Sequence, residues 1–233
     1  MNYLTRYFPD RISYAEMIRV LSLDVPGRRH LQLALRCFFN FLEELGVVSG
    51  EVLEKFRRVV RVDRSGIDNY CPDDRRVAEA YWRLRKPVYR LAFRVLGFSG
   101  IRLVEAVEFL RVFDPGRVEV HGRVSLYPFA SVRGGKTCFY VFLPSELMSQ
   151  VERIRVSDSA LEQSLVRAGM PAKYLRKWNY NKLIDHMSES LADFIQGRSI
   201  QSVGGLHYLD RRRKAIQAYA KAIDDIATTI PIA

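Results

Sequence analysis

Six side chains spread along the sequence are of the types that a phosphodiester transesterase uses. Five are basic and one is a phenol, in the order Arg102, Lys136, Lys173, Arg176, Arg198 and Tyr208. Cations stabilise the charge that develops on the non-bridging phosphate oxygens, and the departing 5′ oxygen needs a general acid. A phenol oxygen can act as the nucleophile and form a phosphoester. The set therefore predicts cleavage of a phosphodiester without a metal.

Local sequence signals place the first two of these residues on different elements. Arg102 begins a helix after the turn Gly97–Gly100, and Lys136 lies in a hairpin loop with Gly134 and Gly135. Apolar and alternating runs around that loop predict a small antiparallel sheet. Its three strands are expected at 117–121, 124–130 and 138–143.

The other four residues lie in a stretch that is predicted to be entirely helical after Pro144. Lys173 and Arg176 share one helical face, because three residues separate them. Arg198 follows a glycine that ends a helix, and Tyr208 precedes a last amphipathic helix at 211–226.

This order of residues and settings resembles the tyrosine recombinase family. Residues 99–105 (Ser-Gly-Ile-Arg-Leu-Val-Glu) are similar to the box with the family's first catalytic arginine, and residues 172–176 (Ala-Lys-Tyr-Leu-Arg) to its second box, usually His-x-x-Arg. The hairpin of Lys136 stands where the family keeps a catalytic lysine. The run 195–209 is especially similar to archaeal virus and plasmid integrases. The resemblance covers the chain from about residue 70 to its end.

The resemblance implies a role for each matching residue. Arg102 and Arg176 would clamp the scissile phosphate, and Arg198 would add a third positive donor. Tyr208 would attack the phosphorus and form a 3′-phosphotyrosine, while Lys136 would protonate the departing 5′ oxygen. A 5′ hydroxyl of a partner duplex would then reseal the strand. The bond energy stays in the ester, so no cofactor, ATP or metal is expected.

Two positions depart from the family's pattern. Lys173 stands in place of the usual histidine, and Arg198 in place of histidine or tryptophan. The group that takes the proton of Tyr208 is therefore open, since Lys173 could accept it only with a strongly depressed pKa. Glu105, three residues after Arg102, is expected to support that arginine.

Other residues near these boxes receive structural interpretations. His207 adjoins the proposed nucleophile, but adjacent helical residues point about 100° apart, which favours a structural or DNA-contact role. Tyr219, Tyr174 and Tyr180 are interpreted as packing residues. The run Arg211–Arg213 fits a solvated face and a phosphate-backbone contact equally well.

Composition is that of a folded, basic protein. The chain has 233 residues, 48% of them hydrophobic, and a formal net charge of +11 that favours a polyanionic partner. Its 3 cysteines and 4 histidines show neither a disulfide framework nor a zinc pattern. No signal peptide or long apolar run is seen, so we expect a cytoplasmic protein with no membrane partner.

The predicted fold is mainly α with a small three-stranded antiparallel β-sheet. Residues 1–68 are expected to form a helical DNA core-binding domain and residues 69–233 a catalytic tyrosine recombinase domain, joined by a polar linker at 62–69. In the first domain one helical face is predicted from Leu31, Leu35, Phe38, Leu42 and Leu45. In the second, one helix is predicted to carry Leu183, Ile184, Met187, Leu191 and Phe194 and to end near Gly197.

Three functions fit these observations to different degrees. The favoured one is a site-specific recombinase, or integrase, that works as a homotetramer on two double-stranded DNA attachment sites, as the family implies. A type IB topoisomerase uses similar chemistry on one duplex. A non-catalytic basic DNA-binding protein would share the charge and the fold, but would form no covalent product.

Overall fold

The chain folds into two compact units, Met1–Asp68 and Asn69–Ala233. The computed structural model describes residues 3–8, 11–24, 26–62, 66, 68–133, 136–198 and 208–232, and at 132, 133, 136 and 208–210 the backbone alone. The division between the units falls within the predicted linker, of which residues 63–65 and 67 lie outside the described residues.

The first unit is helical. Its helices are α1 Tyr3–Tyr7, α2 Tyr14–Ser22, α3 Arg28–Glu44 and α4 Gly50–Val59. Ser13 begins α2 with a capping box, since its hydroxyl accepts the Glu16 amide and the Glu16 carboxylate accepts the Ser13 amide. The core is formed by apolar residues from all four helices and their connections.

The apolar face of α3 differs at one end from the predicted one. Leu31 and Leu35 are buried, as predicted, whereas Leu45 is 58% exposed and Phe39 is buried. The helix ends at Glu44, and Gly46 turns the chain with a φ of +67°. Because Leu45 follows the last helical residue, it leaves the face that the 3.6-residue period assigns to it.

The second unit is mainly helical and contains a small sheet, which confirms the predicted fold class. Its helices are α5 Asp74–Arg83, α6 Pro87–Ser99, α7 Leu103–Val112, α8 Ser145–Ser149, α9 Asp158–Ala168, α10 Ala172–Ile184, α11 Glu189–Gln196 and α12 Tyr208–Ala227. The strands β1 Glu119–His121, β2 Val124–Arg133 and β3 Lys136–Pro144 form one antiparallel sheet in the order β1-β2-β3.

The hairpin of β2 and β3 is longer than predicted. Arg133 pairs with Lys136, so Lys136 begins β3, and Gly134 and Gly135 lie outside the described residues. The register is irregular between Pro128 and Ser131, where Ala130 has a φ of +49°. Such an irregularity bends a strand, and it explains why the sequence pattern ended β2 early.

Proline and aspartate set the helix starts that lead to the first box. Asp73 precedes α5, and its side chain accepts the amide of Arg76. Pro87 is the first residue of α6, so α5 and α6 are two separate helices rather than one bent helix.

Two predictions about the stretch after Pro144 are wrong. The face predicted from Leu183 to Phe194 belongs to two helices, because α10 ends at Ile184 and Ser188 precedes α11. The intervening His186 lies 3.2 Å from the Asp225 carboxylate, a tertiary contact that its local sequence does not encode. Residues 150–157 are also not helical, and within them Ile154 donates its amide to the Leu110 carbonyl instead.

The core of the second unit packs α6, α10, α11 and α12 around the sheet. Tyr219 of α12 lies at its centre, fully buried, and its hydroxyl donates to the carbonyls of Phe98 and Phe142 at 3.1 and 3.3 Å. Burial raises the pKa of Tyr219 well above its ordinary value. The interpretation of Tyr219 as a packing residue is confirmed.

Candidate active site

The first box places Arg102 at the start of α7 and holds it through Glu105. Gly100 ends α6 in the left-handed conformation, with a φ of +62°, and the chain then turns into α7. The two Glu105 oxygens accept the Arg102 backbone amide at 2.7 Å and its Nη1 at 2.6 Å. The Glu105 side chain is 4% exposed. A buried carboxylate therefore fixes both the backbone and the guanidinium of Arg102.

Arg176, the arginine of the second box, approaches the same carboxylate from α10. Its Nη1 lies 3.9 Å from Glu105 Oε2, and its side chain is 14% exposed. That nitrogen is buried and has no hydrogen-bond partner among the described residues. Buried polar groups nearly always have a partner, so this donor is suited to an anionic ligand.

Arg198 reaches the cluster from the end of α11. Its Nε donates to Gln196 Oε1 at 3.0 Å and lies 3.6 Å from Asp193, and its guanidinium carbon is 4.2 Å from the centre of the Tyr180 ring. The preceding Gly197 carbonyl accepts a hydrogen bond from Arg102 Nη1 at 2.9 Å. The first and third arginines are thus joined through the backbone that carries Arg198.

A buried amide network fixes the helices α6, α10 and α11 relative to one another. The Gln196 amide nitrogen donates to the Arg176 carbonyl at 3.0 Å and to Asn179 Oδ1 at 2.7 Å. The Asn179 nitrogen in turn donates to the carbonyls of Gly97 and Phe98. A side chain at Gly100 would overlap both amides. A satisfied network of this kind makes the cluster rigid.

The electrostatics reflect three guanidinium groups in a small volume. Burial and the nearby charges of Arg102 and Arg198 lower the pKa of Arg176 to about 10, which Glu105 opposes. The Cys138 thiol lies in the same field: burial first, and then Glu105, raise its pKa to about 12. Arg176 therefore stays charged at neutral pH, but it is destabilised until a further anion arrives.

The strand β3, which begins at Lys136, packs against the end of α11. A Cβ atom at Gly197, whose φ is +66°, would lie 2.9 Å from Cys138 Cβ and 3.1 Å from the Thr137 carbonyl oxygen. Only glycine fits so close to another backbone. The backbone of Lys136 is therefore next to the arginine cluster, although its side chain lies outside the described atoms.

Lys173 has different surroundings from Arg176 on the same helix. Its side chain is exposed, and its ammonium lies 4.4 Å from the centre of the Tyr174 ring. Tyr174 in turn packs edge-on against Tyr70, with ring centres 4.7 Å apart. Tyr174 and Tyr180 are both partly buried against the core, rather than fully inside it.

Tyr208 is the first residue of α12, and only its backbone is described. Residues 199–207, with His207, lie outside the described residues. In the basic run that follows, Arg212 forms an ion pair with Glu119, whereas Arg213 is exposed. The Arg212 side chain is 21% exposed, so a solvated face does not describe it, and a phosphate-backbone contact of this run stays a prediction.

Sequence reasoning missed the amide network. Asn179 lies four residues from both Leu175 and Leu183, which are fully buried, and it is itself fully buried. A polar residue on the apolar face of a helix is a signal for such a network, because a buried amide requires partners. Gln196, next to the helix-ending glycine, gives no comparable local signal.

The arrangement can bind an anion with three positive groups, one of which is a buried unpartnered donor. Two carboxylates, Glu105 and Asp193, oppose three guanidinium groups, so the cluster is net positive. In the described part of the chain, no group of His, Cys, Asp and Glu residues is placed to hold a metal ion. The fold and the site together define a net positive cluster of three guanidinium groups in a mainly helical protein.

The comparison with protein families names the class. Residues 69–225 match the model of the archaeal phage integrase family. The chain therefore belongs to that family, and it is a DNA-binding recombinase of the integrase type. A comparison with curated proteins returned no match. No helix in the described residues combines the length and apolarity needed to cross a membrane.

Proposed function

We propose that this integrase cuts and rejoins DNA through a covalent 3′-phosphotyrosine formed by Tyr208. One observation carries the proposal: the guanidinium groups of Arg102 and Arg176 converge on Glu105, Arg102 also binds the carbonyl of Gly197 next to Arg198, and the buried Nη1 of Arg176 has no hydrogen-bond partner among the described residues. A phosphate oxygen would supply that partner, and bidentate arginine contacts suit its geometry.

Each residue of the cluster has an assigned task in this reaction. Arg102 and Arg176 hold the non-bridging oxygens of the scissile phosphate, and Arg198 adds a third positive charge. Glu105 positions the first two and does not touch the substrate. The Tyr208 oxygen bonds to phosphorus while the bond to the 5′ oxygen breaks, and Lys136 gives that oxygen a proton.

Lys173 is assigned a contact with DNA phosphate. Its side chain is exposed, and its ammonium lies 4.4 Å from the centre of the Tyr174 ring. An exposed lysine of this kind suits a contact with the DNA backbone. The group that accepts the proton of Tyr208 is left unassigned.

The first unit is proposed to bind the DNA core sequence beside the cleavage site. It has a cavity of about 540 Å³ that is lined by Arg36, Asn40, Glu54, Arg57, Arg58 and Arg61. Four of these are arginines, which suits contact with a phosphate backbone. A homotetramer on two attachment sites completes the proposal, since strand exchange needs two cleaved duplexes.

Covalent capture on a nicked suicide DNA substrate tests the nucleophile. Tyr208→Phe should bind this DNA as tightly as the wild type but form no covalent complex. Tyr219→Phe is the matched control: it removes the hydroxyl of a buried tyrosine and should lower stability while capture persists. Capture by the Tyr208→Phe variant would show that the nucleophile is another residue, and absence of capture by the wild type would favour a non-catalytic DNA-binding protein.

The role of Lys136 has its own test. Lys136→Ala should bind the same DNA and cleave it slowly, because the 5′ oxygen leaves without a proton. A substrate with sulfur in place of that oxygen should restore the rate, since a thiolate leaves without protonation. A variant that remains equally slow on the sulfur substrate would remove Lys136 from the general-acid role.

A further inference from the structure

We propose that Arg212 is a positioning residue that sets where Tyr208 lies relative to the arginine cluster. The inference rests on the proposed function, because it takes Tyr208 as the nucleophile. Both residues are in α12, four positions apart. Residues at this spacing lie on the same face of a helix, one turn from each other. Whatever holds Arg212 therefore also holds the turn that carries Tyr208.

Arg212 is bound on two sides by the sheet. Its guanidinium forms an ion pair with Glu119 of β1 and lies 4.9 Å from the centre of the Tyr140 ring of β3. Its side chain is 21% exposed. His121 of β1 is also near, with Nε2 3.4 Å from Arg212 Nη2. An arginine can satisfy a carboxylate and an aromatic face together, because its guanidinium is planar.

Tyr140 links this contact to the arginine cluster. Its ring centre lies 6.3 Å from that of Phe194 in α11, and α11 ends at Gln196, two residues before Arg198. One side chain of β3 thus contacts both the helix that precedes Arg198 and the helix that begins with Tyr208. The contacts of Tyr140 with Arg212 and with Phe194 therefore hold the end of α11 and the start of α12 against the same strand, β3.

A second ion pair joins the same two parts of the molecule. Arg123, in the turn between β1 and β2, makes two hydrogen bonds to Asp224 of α12. Asp224 is 16 residues beyond Tyr208 in the helix, roughly 24 Å along its axis. If the two ion pairs between α12 and the sheet served stability alone, breaking either one would destabilise the protein without a specific effect on capture. Of the two, the Glu119–Arg212 pair is the one that lies within a helical turn of Tyr208.

The test compares variants of the two ion pairs. Arg212→Met and Glu119→Gln break the first pair, and Asp224→Asn breaks the second as the matched control. Capture on the nicked suicide substrate is followed at several DNA concentrations, which separates the maximal rate from the concentration at half-maximal rate. Hydrogen exchange is measured on the free protein at the amides 211–214, the first in α12 that have helical carbonyl acceptors.

We expect Arg212→Met to lower the maximal capture rate by about tenfold or more, because small misplacements of a nucleophile slow reaction strongly. The half-maximal DNA concentration should stay within about twofold, since the phosphate contacts remain. Exchange of the amides 211–214, which close the first turn of α12, should rise. Arg212→Lys should restore part of the rate, because it keeps a charge for Glu119 and Tyr140. Asp224→Asn should leave rate and exchange in this turn unchanged.

Two results would overturn the inference. One is capture by Arg212→Met at the wild-type rate; the other is equal slowing by Asp224→Asn, which would reduce the pair to a stabilising contact. The failure of the proposed function is distinct: the wild type would then form no covalent complex at all. In that case the exchange measurement still decides whether Arg212 fixes the first turn of α12.

Discussion

The two units each hold a group of arginines, and the groups differ in what their charges meet. In the first unit, Arg57 donates to Glu54 at 2.9 Å and to Asn40 at 2.9 Å, and it also bonds to Glu43. The side chains of its two carboxylate partners, Glu43 and Glu54, are 47% and 58% exposed. In the second unit, the Arg176 guanidinium lies beside a buried carboxylate at 3.9 Å and keeps one donor without a hydrogen bond.

The pKa values of the two arginines move in opposite directions. Hydrogen bonds to Glu43 and Glu54 raise the pKa of Arg57, whereas burial and two neighbouring arginines lower that of Arg176 to about 10. A raised pKa marks a cation that is already satisfied by its surroundings. A lowered one marks a cation whose surroundings lack negative charge, which a bound phosphate would provide.

The number of basic residues in a cluster therefore does not indicate which cluster is the candidate active site. The first unit has four arginines around one cavity, more than the three guanidinium groups of the second unit's cluster. Burial and unsatisfied donors distinguish the clusters, and these properties make a preorganised site for developing charge.

The largest effect is expected from removing Arg176. Arg176→Ala should slow covalent capture by about 10²–10³-fold at saturating DNA, the usual cost of losing one donor to a developing charge. Arg57→Ala should slow it by at most about threefold, because that side chain is already occupied by protein partners. The capture rate on the nicked substrate checks both, and equal slowing by the two variants would contradict the comparison.

A smaller loss is expected from neutralising the carboxylate between the arginines. Glu105→Gln leaves Arg102 and Arg176 without a counter-charge, and breaking a buried pair costs about 3 kcal/mol of unfolding free energy. Displacement of both guanidinium groups should also slow capture by up to about 10²-fold.

Glu54→Gln is the matched control for that change. Glu54 is 58% exposed, and Arg57 keeps Glu43 as a partner, so the loss should stay under about 1 kcal/mol. Urea unfolding measures both variants. A Glu105→Gln protein as stable and as active as the wild type would mean that the buried carboxylate does not organise the site.

Two of the helix-ending glycines, one from each unit, offer the next comparison, since they share a conformation and differ in surroundings. Gly46 in the first unit has a φ of +67° and open space around its Cα, whereas Gly197 has a φ of +66° and faces β3. Gly46→Ala should cost about 1 kcal/mol for the left-handed backbone alone. Gly197→Ala should cost more, because its Cβ would meet Cys138 and Thr137.

The Gly197 variant should also slow capture, since it displaces the carbonyl that binds Arg102. Thermal unfolding and the capture assay together separate these effects. Equal destabilisation by the two alanines would show that the close approach to β3 costs nothing.

Local signals account for what the sequence could predict. The glycine before Arg102 and the alternation in 117–143 act within a few residues, and the helix start and the three strands that they predict are present in the structure. The site depends on contacts across the chain: Glu105 meets Arg176 71 positions later, and Gln196 binds Asn179. No periodicity encodes such pairs, because they depend on how helices pack. The break between α10 and α11 was missed for the same reason.

The smallest effect is expected in the first unit, where it tests a contact with the DNA backbone. Arg58 is exposed and lines the cavity of that unit. Arg58→Ala should weaken DNA binding a few-fold and lower the slope of log affinity against log salt by about one, because one fewer counterion is released. The maximal capture rate should stay near that of the wild type.

Arg75→Ala, which removes an 87% exposed arginine paired with Glu79 in the second unit, is the control and should leave the slope unchanged. If the Arg58 variant keeps the full salt slope, this cavity is not where the first unit meets DNA, and its arginines serve the contacts within the unit that they already make.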